Sequence, residues 1–508
     1  MYYLKKFNEN YYIYFILIFV FIPLNFIHQL FGAVMFDYAY EIGDTSGIEN
    51  WYKEMSRYIQ LLFIYLINFL VKYTPLPAEI FFDSLAIIFL ILFCIEVKKY
   101  SKIFFNLENK WCTLAALFTA VFPIWHTMVT FEITLYFISS YFLLFGFRNF
   151  ISKKKIKIII GLIFIILSFG VGLAIVYLVL NKMNNTYDFS VLKLITIILI
   201  CITYYFIKQL YFPASGAWDS YLGLNFSFVN SQPELNNLIK NILNYSTYLF
   251  LYLWIPVIFI LHLLFINKKY FSEIKLNLIE KFSFKDINNY LLLIILSGFA
   301  IFPYLLLNKD SSVLYLSDYY QRHALLLASI SGIFFSVMFR DMSKINCLQN
   351  RVNLNFYLVI FICIQLIFLN YGNYRKAESY VFRKNLTNEL KAYGSIPKGD
   401  VQFIGKNFPV DLRFYEVNHL LYKAYNIAGW RGSTGASLLL EPQGWNSHKS
   451  FLLSDNRYAI QWIENEYKYE CNTYIYIKND LKKYERLKKF YIFNYKKNYN
   501  IDKVIKKF

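Results

Sequence analysis

The residues best placed for chemistry cluster just beyond the first apolar stretch, in a short segment crowded with acids. Asp37, Glu41, Asp44, Glu49 and Glu54 all fall within residues 32–58. Asp37 stands a few residues past the apolar run 11–31, so it lies near a membrane surface if that run crosses one. A carboxylate there can act as general base on an acceptor hydroxyl, or share a divalent ion with a second acid. Excess acid is also what an outer loop accumulates when Lys and Arg are excluded from it. Arg57, in Ser56-Arg57-Tyr58, opens a further apolar stretch and can hold a phosphate bidentately; snorkelling to lipid headgroups is the structural alternative.

A second cluster reads Asp318-Tyr319-Tyr320-Gln321-Arg322-His323, directly before an apolar helix. Arg322 and His323 run against the charge bias of that side, which favours a functional role such as phosphate or pyrophosphate binding. Trp125, His126 and Glu132 mark a tight turn, and Asp83 opens another apolar helix; these can line a cleft with Asp37 or serve as interfacial groups. His28 and His262 stand alone in apolar runs and read as structural. Gly429-Trp430-Arg431-Gly432-Ser433-Thr434-Gly435 lacks the spacing and lysine of a phosphate-cradling loop and reads as a turn.

The elements that must carry these residues are membrane helices. The 508-residue chain is 57% hydrophobic and 21% aromatic, with only 17% charged residues, too little polar surface for a soluble protein of this size. Its apolar residues fall in blocks of about 20, the length that crosses a hydrocarbon core. The expected spans, about eleven, are 11–31, 79–97, 111–128, 131–148, 156–168, 171–182, 190–209, 246–266, 288–307, 322–340 and 354–372. Lys98, Lys99, Lys102 and Lys110 follow the second; Arg148, Lys153, Lys154, Lys155 and Lys157 follow the fourth; Lys268, Lys269, Lys275, Lys281 and Lys285 follow the eighth; Arg340, Lys344 and Arg351 follow the tenth. Basic ends therefore alternate, with a cytoplasmic N-terminus. Residues 58–73 are read as a helix in or dipping into the outer leaflet. Residues 156–182 are split at Phe169-Gly170-Val171-Gly172 into two short passes. Together, 1–372 is expected to be the transmembrane domain.

The net charge of +19 sits mostly in these loops, so it sets topology and excludes nucleic acid as the expected partner. Cys94, Cys112, Cys201, Cys347, Cys363 and Cys471 form no metal-binding spacing, and only Cys471 is placed outside, so no disulfide is expected. From 373 to 508 charge becomes frequent. Val401-Gln402-Phe403-Ile404 and Tyr474-Ile475-Tyr476-Ile477 read as strands, with helices expected at 376–393 and 457–467. This is a small α/β domain, extracytoplasmic by the topology.

The order of these features resembles the GT-C superfamily of integral-membrane glycosyltransferases. The resemblance rests on Phe36-Asp37-Tyr38, Trp51-Tyr52 and Ser56-Arg57-Tyr58, with Tyr319, Arg322 and His323 before a later helix. It spans about 370 residues in architecture but few in motif. The adjacent acid pair usual in that family's first loop is missing, because Phe36 precedes Asp37; Glu41 or Asp44 can supply the second carboxylate, and dependence on Mg or Mn stays open.

The resemblance implies a polyprenyl-phosphate sugar donor, a glycan, lipid or protein acceptor, an inner-membrane location, and an inverting displacement. Asp37 would be its base, and Arg57 and Arg322 would take the departing phosphate. Competing classes are a surface-polysaccharide polymerase, a lipid or glycolipid transporter, and an acyltransferase using His126 or His323. A polymerase usually carries its large outer loop between spans, and transporters place charge near the midplane in two related halves.

Overall fold

The computed structural model describes residues 46–74, 76, 78–122, 125, 131–168, 191–213, 215, 239, 284–306, 325–343, 358–367 and five strands between 401 and 507. These residues are predominantly helical. The helices are α1 (Ser46–Glu54), α2 (Tyr58–Tyr73), α3 (Ala78–Phe104), α4 (Asn109–Ala120), α5 (Phe131–Phe150), α6 (Lys155–Leu167), α7 (Val191–Tyr211), α8 (Phe284–Leu306) and α9 (Leu325–Ser343). A shorter apolar helix, α10 (Leu358–Ile367), follows. Contacts divide the chain into two units. One comprises Met1–Asn25, Asp83–Lys208 and Leu224–Gly372; the other comprises Phe26–Phe82, Gln209–Gly223 and Asn373–Phe508.

The helices of the first unit fall on the expected apolar blocks, but fewer than expected meet the requirements of a span. Among the described residues, Ile80–Phe104 and Leu326–Ser343 are long and apolar enough to cross a membrane. Helix α6 has 13 residues and α4 has 12, about 20 Å and 18 Å of rise against a core of about 30 Å. Two of the eleven expected spans, 79–97 and 322–340, thus have a helix that meets this test among the described residues. The blocks 11–31, 171–182 and 246–266 lie outside them.

Aromatic side chains bind this unit together. Phe118 of α4 meets Phe335 of α9 at 5.9 Å and Phe361 of α10 at 5.3 Å between ring centroids, and Phe335 and Phe361 are 4.6 Å apart. Phe164 of α6 packs edge-on against Phe142 and Phe145 of α5, at 4.9 and 4.8 Å. Such pairs add about 0.5–1.5 kcal/mol beyond their buried area. Trp125 is buried, donates its indole N–H to the Thr119 carbonyl at 2.5 Å, and packs against Phe137.

Two helix crossings depend on glycine. A Cβ on Gly332 would stand 2.6 Å from the Ala115 carbonyl oxygen and closer still to the Thr119 hydroxyl. One on Gly161 would stand 2.6 Å from the Gly146 carbonyl oxygen and 2.7 Å from Phe150 Cα. Small residues at such crossings let backbones approach where lipid offers no hydrophobic drive. Gly332→Leu and Gly161→Leu are each expected to cost about 1–3 kcal/mol or more, seen as a lower melting temperature in detergent. Gly298→Ala is the control, because no atom lies within 4 Å of its added Cβ.

Polar contacts gather one end of this unit. The C-terminal ends of α3 and α5 meet through Glu96 and Arg148. Lys193, near the start of α7, donates to the carbonyls of Ile151 and Ser152 at 3.3 and 3.2 Å. The Ser336 hydroxyl of α9 donates to the Trp111 carbonyl at the start of α4. Tyr290, early in α8, donates to Asp341 at the end of α9, 3.0 Å away. Helices α3, α5 and α9 therefore run toward this end, and α4, α6, α7 and α8 away from it.

In the second unit, the strands β1 (Val401–Gly405), β2 (Ser450–Leu452), β3 (Ala459–Ile463), β4 (Thr473–Ile477) and β5 (Ile505–Lys507) form one sheet in the order β2-β3-β1-β4-β5. The three central strands are parallel, with Val401 opposite Ile460 and Thr473, and the edge strands are antiparallel. Residues 401–404 and 474–477 are strands as their β-branched and aromatic composition suggests. Residues 459–463 correct the helix expected over 457–467. Ala-Ile-Gln-Trp-Ile gains a full parallel ladder beside β1, and that pairing overrides the charged, helix-favouring flank Glu464-Asn465-Glu466. The expected helix at 376–393 lies outside the described residues.

Candidate functional site

Arg57 is the candidate whose surroundings the structure describes, and it stands in a tightly held turn. Helix α1 ends at Glu54, and α2 begins at Tyr58 with Arg57 as its N-cap residue. The intervening Ser56 adopts a left-handed backbone, φ 55°, uncommon for a residue other than glycine. The Ser56 amide donates to the Lys53 carbonyl and the Arg57 amide to the Tyr52 carbonyl, each at 2.9 Å. Tyr52 and Met55 are buried beneath the turn.

Phe212 and Ser215 form a strap that fastens this turn. The Ser56 hydroxyl donates to the Phe212 carbonyl in a short bond, and the Ser215 amide donates to the Glu54 carbonyl at 3.0 Å. The Phe212 ring lies 4.8 Å from that of Tyr58. The bonds to Ser56 and Glu54 offset the cost of the left-handed backbone, so the position of Arg57 is set by chain on both sides of it. Asn68 donates to Glu49 at 2.8 Å and pins α2 against α1. Partial burial raises the Glu54 carboxyl above its ordinary range.

Helix α2 is apolar on both its buried and its exposed face. Gln60, Leu61, Ile64 and Ile67 are buried, while Leu62, Tyr65, Leu66, Phe69 and Tyr73 are exposed. An apolar stripe on the outer face of a helix of about 24 Å suits lipid better than water. Arg57 thus stands at the head of a helix whose free face is apolar.

Asp37, Glu41, Asp44, His126, Arg322 and His323 lie outside the described residues. Asp83 and Glu132 are placed as positions only, near the starts of α3 and α5. Among the described residues no group of three or more His, Cys, Asp or Glu is arranged to hold a metal ion.

One charged cluster was not anticipated from the sequence. Glu96 is 2% exposed within apolar α3. Arg148 Nε donates to its Oε2 at 2.5 Å and Nη2 to Oε1 at 3.2 Å, while Lys99 Nζ reaches Oε1 at 2.8 Å. The available signal was an acid inside an otherwise apolar helix, which demands a partner. Its carboxylate is fully engaged, so the cluster reads as a clasp between helix ends.

The described residues are thus predominantly helical, with a mixed sheet in the second unit and Arg57 at the head of an apolar helix. No protein-family model, curated protein or solved structure matches the chain.

Proposed function

We propose that the chain is an inner-membrane glycosyltransferase of GT-C type, moving a sugar from a polyprenyl-phosphate donor to a cell-envelope glycan, lipid or protein on the outer face. The observation that carries the reading is the placement of Arg57. It stands at the N-cap position of the apolar-faced helix α2, directly after acidic α1, in a turn held by Ser56, Phe212 and Ser215. A donor of this class is half lipid and half anion. A guanidinium where an apolar face begins suits its phosphate.

Further support comes from the helices that present apolar side chains outward. Leu192, Ile195, Leu199, Ile202, Phe206 and Leu210 form such a face on α7. The alternating helix directions of the first unit also agree with the alternation of basic loops. In this reading the remaining apolar blocks complete a multi-span domain, and residues 373–508 form an extracytoplasmic domain.

In the reaction, Asp37 accepts the proton of the acceptor hydroxyl. The freed oxygen bonds to the anomeric carbon while the bond from that carbon to the phosphate oxygen breaks, so configuration inverts. Polyprenyl phosphate departs with the electron pair, and Arg57 and Arg322, with His323 beside them, meet the growing negative charge. In this reading Glu41, Asp44, Asp83, His126 and Glu132 are the further candidates for the substrate cleft or for a metal ion.

Arg57→Gln is expected to lower sugar transfer about 100-fold, with a smaller loss in Arg57→Lys because a point charge replaces the bidentate fork. Transfer of radiolabelled sugar in membrane vesicles measures this. Wild-type rates in Arg57→Gln would remove the phosphate role.

A further inference from the structure

Outside the turn at Arg57, the junction of α5 and α6 is a strongly charged described surface. Lys153, Lys154, Lys155 and Lys157 are all exposed there, interrupted by Ile156, which is 74% exposed. No Asp or Glu occurs between Glu132 and Asp188, and the nearby Glu96 is buried against Arg148 and Lys99. Lys154, Lys155 and Lys157 therefore have no acid in the same stretch of sequence. Lys193 fixes its backbone by donating to the carbonyls of Ile151 and Ser152.

The same helix continues as an exposed apolar stripe. Ile156, Ile159, Ile160 and Ile163 are exposed at helical spacing, while Gly161 and Ile165 face α5 and are buried. Seven residues of helix give this stripe a length of about 10 Å. Lysines thus stand at one end of a narrow apolar face, a layout whose charge and apolar parts match a two-part ligand.

We propose that the head of α6 binds an anionic phospholipid of the surrounding bilayer, its phosphate on Lys154, Lys155 and Lys157 and an acyl chain along Ile156 to Ile163. Charge complementarity selects the headgroup, and apolar burial holds the chain. Water alone would leave the isoleucines exposed, and a zwitterionic lipid would leave the lysines unneutralised. The site is independent of sugar transfer, so either can fail without the other.

The test is electron spin resonance of the full-length protein in phosphatidylcholine vesicles carrying a trace of spin-labelled phosphatidylglycerol or phosphatidylcholine. The wild type is expected to immobilise the anionic label preferentially. Lys154→Gln/Lys155→Gln/Lys157→Gln is expected to lose at least about fivefold of that preference, while the Arg triple variant keeps it. Immobilised phosphatidylcholine should stay equal across variants, reporting an intact protein. Should the Gln variant fail to fold, salt at about 1 M, where the Debye length is about 3 Å, should erase most of the wild-type preference. An undiminished preference in the Gln variant or in high salt overturns the proposal. So does full displacement of the anionic label by inorganic phosphate, which would mark a site for a free anion.

Discussion

Asp37→Asn is expected to abolish sugar transfer, lowering the rate by about 10²–10⁴-fold, while the protein still reaches the membrane at wild-type levels. Asparagine keeps the volume and one acceptor oxygen of the aspartate but cannot take a proton at neutral pH. If the acceptor hydroxyl must lose its proton as it attacks the anomeric carbon, the loss falls on kcat, with little change in donor affinity. Asp37→Glu keeps the base but moves it by one methylene, so partial activity should return. The measurement is the rate of radiolabelled sugar transfer in vesicles matched for protein content. An Asp37→Asn variant as active as wild type would exclude this carboxylate as the base and return attention to Glu41 and Asp44.

The second large effect concerns stability. Arg148→Ala is expected to destabilise the helical unit by about 3 kcal/mol, because it leaves Glu96 buried with only the half-exposed Lys99 for compensation. Removing both partners is a different case. In Glu96→Leu/Arg148→Leu no buried charge is left orphaned, and apolar side chains fill the space, so the double variant should lie much closer to wild type. Melting in detergent, followed by size exclusion, separates these outcomes. An Arg148→Ala variant with unchanged melting would mean that the clasp adds nothing to holding α3 against α5.

The helices were largely legible because each buries or exposes a continuous apolar block, a local signal. The block 131–148 became Phe131–Phe150, 322–340 became Leu325–Ser343, and 58–73 became a helix with those bounds. Arg57 at the head of α2 was legible for the same reason, since a charge at the edge of an apolar run is visible in the chain. What joins distant segments was not legible. Glu96 and Arg148 are 52 residues apart, and nothing local announces that they meet. The strap at Phe212 and Ser215 is farther still from Ser56, and a left-handed serine carries no sequence signature. The strand at 459–463 was misread because its ladder is contributed by β1, nearly 60 residues upstream, while its charged neighbours favour a helix.

The most direct test of the central claim is whether the chain breaks the bond between sugar and carrier phosphate. Purified full-length protein, in vesicles containing a polyprenyl-phosphate hexose and an envelope glycolipid acceptor, should release free polyprenyl phosphate in step with acceptor glycosylation. A transporter would carry the intact donor from one leaflet to the other and release none. Equimolar release that disappears in Asp37→Asn and Arg57→Gln is the expected result. Movement of intact donor without any free polyprenyl phosphate, across a panel of hexoses, would contradict it.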